Sequence, residues 1–198
     1  MYPNKTMAIL KRFSVWLYKV STGWVALAGL IIFLLFTTLV LPGQAAGADT
    51  ISEQVGSPDM SFFYTPGELY EMAETYGEQG RSAYIRARFT FDLIWPLVYT
   101  LFLSTAVSWT FKHAFTSESR WRWANLAPIL GMAFDYAENI STALVMYRYP
   151  APIDILAAIA PFLTAIKWIF VAGSFVLLVI GFITVITQTI RKHRGDSI

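Results

Sequence analysis

The feature that most restricts this chain is the segment 20–41, which is 22 residues long, carries no charge and is closed by Pro42-Gly43. At about 1.5 Å of rise per residue, a helix of that length crosses the ~30 Å hydrocarbon core of a bilayer. Such a helix must face lipid or lie deep inside a large soluble core. Composition separates the two: 56% of the 198 residues are hydrophobic and only 14% charged, against about 25% charged in soluble domains. So little charge cannot cover a core of this size in water, so much of the apolar surface is expected to face lipid.

Three further apolar segments follow. Segment 89–111 carries Asp92 and Pro96, and segment 123–146 carries Asp135 and Glu138. Segment 155–190 would extend about 54 Å as a helix, too long for one crossing. Pro161 is expected to interrupt or kink it. That places the fourth span at 168–190 and an outer-surface or partly inserted helix at 155–164. The expected fold is all-α, a single polytopic domain over 1–198 with a four-helix transmembrane bundle.

The Lys and Arg beside the spans set the expected orientation. Lys5, Lys11, Arg12, Lys19, Lys112, Arg120, Arg122, Arg191, Lys192 and Arg194 fall on one side. The other side holds Arg81, Arg86, Arg88 and Arg148. An integral, multi-pass protein with both termini cytoplasmic is expected. The basic start, apolar run and Ala46-Gly47-Ala48 resemble a cleavable signal peptide, but 22 apolar residues exceed the ~7–15 that such peptides use. The segment is therefore read as a retained span.

The loop 42–88 is the sizeable part outside the membrane. Its first half reads as irregular chain. Thr65-Pro66-Gly67-Glu68 then has the pattern of a capped helix start, with a cap, a proline at the first helical position and a carboxylate three residues on. Leu69, Met72, Ala73 and Tyr76 follow at helical spacing. Gly77 and Gly80 are expected to bracket a turn, with 82–88 running unbroken into the second span. The result would be a helical hairpin over the outer mouth of the bundle.

Ionisable residues inside a membrane are costly unless paired or hydrated. Asp135, Glu138, Asn139 and Thr142 fall at helical spacing on one face, which must point into the bundle. Helical rise puts Asp135 about 18 Å and Glu138 about 22 Å from the inner end of their span, near the depth of Asp92 and Lys167. Arg86 and Arg88 stand just above Asp92. The candidate ligand-binding residues are Asp92, Asp135, Glu138, Asn139, Lys167 and Arg88, with Asp135 and Glu138 as candidate catalytic groups. Three carboxylates against one lysine leave a surplus that suits a proton donor. The plainer reading is helix packing alone, with Asp135 or Glu138 paired to Lys167 and Asp92 to Arg88.

No metal or cofactor is expected. The chain has no cysteine, and neither His113 nor His193 lies in a span. Asp92, Asp135 and Glu138 could hold a hard cation such as Ca²⁺ or Na⁺, but no loop spacing supports it. A net charge of +2 gives no sign of a nucleic-acid partner.

In layout the chain resembles the four-helix emopamil-binding and sigma-2 receptor group. The likeness covers span count, loop lengths and the acid-then-proline pattern at Asp92 and Pro96. It implies carboxylates in a membrane cavity below an extended first loop. The membrane histidine of the sterol isomerases has no counterpart here, and no functional residue is carried over. The leading expectation is a pocket in the outer half of the bilayer that binds or processes a lipid-like or amphipathic small molecule. Membrane lipids would surround it. The alternatives are an accessory or assembly subunit, with a membrane-protein partner or as a homo-oligomer, and a proton- or ion-coupled carrier.

Overall fold

Thr22 sets the first boundary in the fold. Its backbone is extended (φ −92, ψ 167) and its side chain accepts a hydrogen bond from Val25 N at 3.3 Å, so one helix ends before it and another starts after it. The computed structural model describes residues 5–43 and 56–195, and among them every regular element is helical. Helix α1 is Lys5–Val20 and α2 is Gly23–Gly43. A short 3₁₀ turn, Pro58–Met60, precedes α3, Pro66–Arg88. Helix α4 is Phe91–Ala114, a 3₁₀ segment covers Arg120–Leu126, α5 is Ala127–Arg148 and α6 is Asp154–Arg194.

Three helical stretches are long and apolar enough to cross a membrane: α2, the stretch Pro66–Ala114 that contains α4, and α6. Helix α5 is of similar length, but it carries Asp135, Glu138 and Asn139. Helix α4 is the hub, packing against α2, α5 and α6, and the broadest contact of all joins α5 to α6. Helix α2 attaches mainly to α4, through Phe33 and Phe36 stacked on Trp95 with centroids 5.6 Å apart in each case. Within α2, Phe36–Val40 widens into a π turn. Thr37 and Thr38 donate there to Phe33 O and Leu34 O, each at 2.8 Å, and such back-bonding loosens a helical ladder.

The capping box expected before α3 is present. Thr65 Oγ1 accepts from Glu68 N at 3.2 Å, and Glu68 Oε2 accepts from Thr65 N at 2.6 Å. That backbone bond, with the Thr65 hydroxyl beside it, holds the Glu68 carboxyl below its ordinary value. Gly77 then bends α3 sharply with a left-handed φ of 61° that a side chain would resist. Arg81 Nη1 donates across the bend to Ala73 O at 2.8 Å. The first arm of α3 buries Leu69, Met72, Ala73 and Tyr76 with Val145, Met146, Ala157 and Ala160, so it covers one end of α5 and α6.

Four expectations change. Gly80 lies within the second arm of α3 rather than bracketing a turn. The chain does not run unbroken into α4, because Phe89 and Thr90 leave helical geometry (Thr90 at φ −126, ψ −79). Residues 5–20, read only as a basic flank, form a helix of their own. Pro161 does not break α6, which stays one helix from Asp154 to Arg194. Proline removes one backbone donor, and neighbouring helices can support the loss. Here Pro161 is buried beside Ala157 and Ala160 under the α3 arm. The irregular half of the loop falls largely on 44–55, outside the described residues.

Gly181 sets the approach of α6 to α4. A Cβ there would stand 2.6 Å from Thr110 Oγ1, and that hydroxyl is already committed to Ala106 O at 2.9 Å. Gly173, two turns earlier on α6, has nothing within 4 Å of the same position. We expect Gly181→Ala to lower the melting temperature of the detergent-solubilised protein, at a cost of about 1–3 kcal/mol. Gly173→Ala should leave it unchanged or slightly raised.

Candidate functional site

Residues three, four and seven apart share a helix face, and the polar face of α5 follows that spacing. Asp135, Glu138, Asn139 and Thr142 are all buried. Each meets a different neighbour, and the result is one polar cluster at the end of the bundle covered by α3.

Glu138 is completely buried and forms an ion pair with Lys167 of α6. Thr164, one turn before Lys167, donates to the other carboxylate oxygen at 2.8 Å. One turn of α6 therefore presents an ammonium and a hydroxyl to one carboxylate of α5. Thr164 Oγ1 also lies 3.2 Å from the Tyr64 hydroxyl. A threonine has one proton, and the carboxylate is the stronger acceptor, which leaves Tyr64 to donate to Thr164. Burial pushes the Tyr64 phenol above its ordinary value, which keeps it a neutral donor.

Arg88, at the end of α3, pairs with Asp59 and with Asp92 of α4, the latter at 2.9 Å. Its Nη1 also lies 3.4 Å from Asn139 Oδ1, and its guanidinium sits 4.6 Å from the Tyr84 ring centroid. Tyr84 in turn donates to Thr142 Oγ1 at 3.0 Å. A single arginine thus joins the 3₁₀ turn at Pro58–Met60, α3, α4 and α5.

Asp135 differs from the other acids. It accepts from the Tyr99 hydroxyl at 3.0 Å and from Asn139 Nδ2 at 3.2 Å. No ion pair involves it among the described residues. The cluster holds four carboxylates (Asp59, Asp92, Asp135, Glu138) and two cations (Arg88, Lys167). The carboxylate left without a cation is Asp135, not Glu138.

All six residues singled out in the sequence therefore lie in the cluster, with particular partners. Asp92 pairs with Arg88, not with α5, and Lys167 pairs with Glu138, not with Asp135. Sequence reasoning missed Asp59, Tyr64, Tyr84, Tyr99 and Thr164. Tyr99 follows Asp92 by seven residues and Thr164 precedes Lys167 by three, so helical spacing could have flagged both. Asp59 sits in a short turn where no periodicity points to it. Among the described residues no group of three or more His, Cys, Asp or Glu is placed to hold a metal ion. Two surface grooves, one beside Ser82 and Arg86 of α3 and one along α1, lie away from the cluster.

Compared with protein families, curated proteins and solved structures, the chain matches none of them.

Removing one member of a buried ion pair costs about 3–5 kcal/mol, because the other charge stays buried without compensation. Lys167→Met should therefore lower the melting temperature sharply. Adding Glu138→Gln in the same chain should recover much of the loss, since the orphaned charge is gone. Equal melting of the single and double variants would show that the orphaned Glu138 charge carries no penalty, contrary to this expectation.

Proposed function

We propose that this is a four-span membrane protein with both termini cytoplasmic, and that it binds a lipid-like or amphipathic small molecule at the outer polar cluster. The three long apolar helices support the membrane assignment. Helix α5 is taken as the further span because its polar face points inward while Leu130, Ile140 and Leu144 are exposed. That arrangement is the reverse of a helix facing water. The asymmetry of Lys and Arg along the sequence supports the orientation.

The observation that carries the binding proposal is the state of Asp135. An ionised carboxylate offers about four acceptor positions, and Asp135 receives two neutral donors and no cation. A bound head group with a hydroxyl or ammonium would supply what the protein leaves out. Glu138, whose charge is neutralised by Lys167 and which also accepts from Thr164, has a packing role in this reading. The completeness of that pair is also the observation behind the second reading, an accessory or assembly subunit whose polar cluster only fixes helix geometry.

Two measurements test these points. A single cysteine at Ser57 is expected to react with an impermeant maleimide from outside the cell, and reaction from the cytoplasmic side alone would reverse the topology. Asp135→Asn keeps the size and removes the charge, and the Tyr99 hydroxyl can turn to accept from the new amide. The variant should melt within a few degrees of the parent while losing a small molecule that co-purifies with the parent in detergent, read by mass spectrometry of the organic extracts. Identical extracts at unchanged melting would favour the accessory reading.

A further inference from the structure

Helix α1 carries Lys5, Lys11, Arg12 and Lys19 and no acidic residue in 16 positions. One face, Ser14, Leu17 and Tyr18, is buried. Ser14 Oγ donates to Asn125 Oδ1 at 2.8 Å, while Asn125 Nδ2 donates to Ser14 O at 3.1 Å and to Ser108 Oγ at 3.2 Å. Tyr18 donates to Arg122 O at 2.7 Å beneath the Arg122 guanidinium, 4.0 Å from the ring centroid. Burial pushes the Tyr18 phenol up to about 12, so it stays a neutral donor.

These contacts fix how α1 lies. Ser14 reaches the level of Ser108 on α4, while Gly23 lies against the Trp109 side chain one residue on. Nine residues running straight along the bundle axis would separate those levels by about 13 Å. Helix α1 therefore crosses the end of the bundle instead of projecting beyond it.

The face turned away from the bundle is a shallow groove lined by Ala8, Lys11, Arg12, Val15, Trp16 and Lys19. Beside it Phe13 and Trp16 stack at 5.7 Å, and both are exposed, as are Ile9 and Val20. Among the described residues no carboxylate pairs with Lys5, Lys11, Arg12 or Lys19. Trp24, Trp121 and Trp123 are exposed around the same end of the bundle. Indole rings favour the membrane interface, and an in-plane helix with a basic face and an apolar edge binds anionic lipid.

We propose that α1 is a docking helix for anionic phospholipid, with the Lys11, Arg12 and Lys19 groove holding the phosphodiester head group and Ile9, Phe13, Trp16 and Val20 entering the acyl boundary. The inference rests on the membrane reading above but not on the Asp135 site. Exposed Phe13 and Trp16 beside the cations favour lipid over a soluble acidic partner, which would gain nothing from meeting indole and phenyl edges at the chain's own interface.

The test uses the full chain in mild detergent, titrated with dioleoylphosphatidylglycerol or dioleoylphosphatidylcholine and read by native mass spectrometry. Each basic residue near an anionic surface contributes about fivefold. The parent should prefer phosphatidylglycerol by roughly tenfold or more, since the groove supplies three such residues. Lys11→Gln/Arg12→Gln/Lys19→Gln should bring the two lipids close to parity, while Arg191→Gln/Lys192→Gln/Arg194→Gln should keep the preference. If the triple variant does not fold, Lys19→Gln alone should show a proportionate drop. Parity in the parent, an unaffected preference in the α1 variants, or loss in the tail variant would overturn the proposal. Displacement by millimolar inorganic phosphate would overturn it too, by identifying a soluble-anion site. A chain that stays soluble without detergent would instead refute the membrane reading.

Discussion

Placing a carboxylate and an ammonium among apolar helices costs several kcal/mol for each ion unless both are fully engaged. Glu138 and Lys167 meet that condition only in one rotational setting of α5 against α6, because Thr164 must reach the same carboxylate from the same turn. Once α5 is held in that setting, the rest of its polar face is aimed. Asn139 comes to Arg88, Thr142 to Tyr84 and Asp135 to Tyr99. The contacts of α5 with α3 and α4 are thus consequences of its contact with α6.

Two kinds of attachment radiate from that pair. The covering segment is fastened by directional polar contacts: Tyr64 beside Thr164, Tyr70 accepting from Ile153 N at 2.8 Å, and Arg88 reaching three partners. Helix α2 is held instead by stacked rings and close packing on α4. The covering segment is thus fixed by directional polar bonds, and α2 by ring stacking and by the close approach of Gly29 to the α4 backbone at Phe102.

Periodicity explains how far the sequence could be read. Helical spacing located the polar face of α5 and the capped start at Thr65, because both signals are local. It also showed that Asp92 could pair with Arg88 one turn away. Which acid would meet Lys167 depended on the rotation and height of two helices far apart in sequence, which no local pattern encodes. Asp59 was invisible for the same reason. The misplaced break at Pro161 has a different origin: the rule describes a helix in isolation, and the packing of the α3 arm over Ala157 and Ala160 overrides it. The separate helix at Lys5–Val20 leaves little local signal, because its buried face is only Ser14, Leu17 and Tyr18.

The contact between Ser14 and Asn125 joins residues 111 positions apart. Synthesis proceeds from the amino terminus, at about 5–20 residues per second. Helix α1 is therefore complete well before its binding partners exist, and it waits through the making of the whole covering segment and α4. During that interval Ser14 and Tyr18 lack the residues that will later hold them. Helix α1 is thus made long before it can be docked.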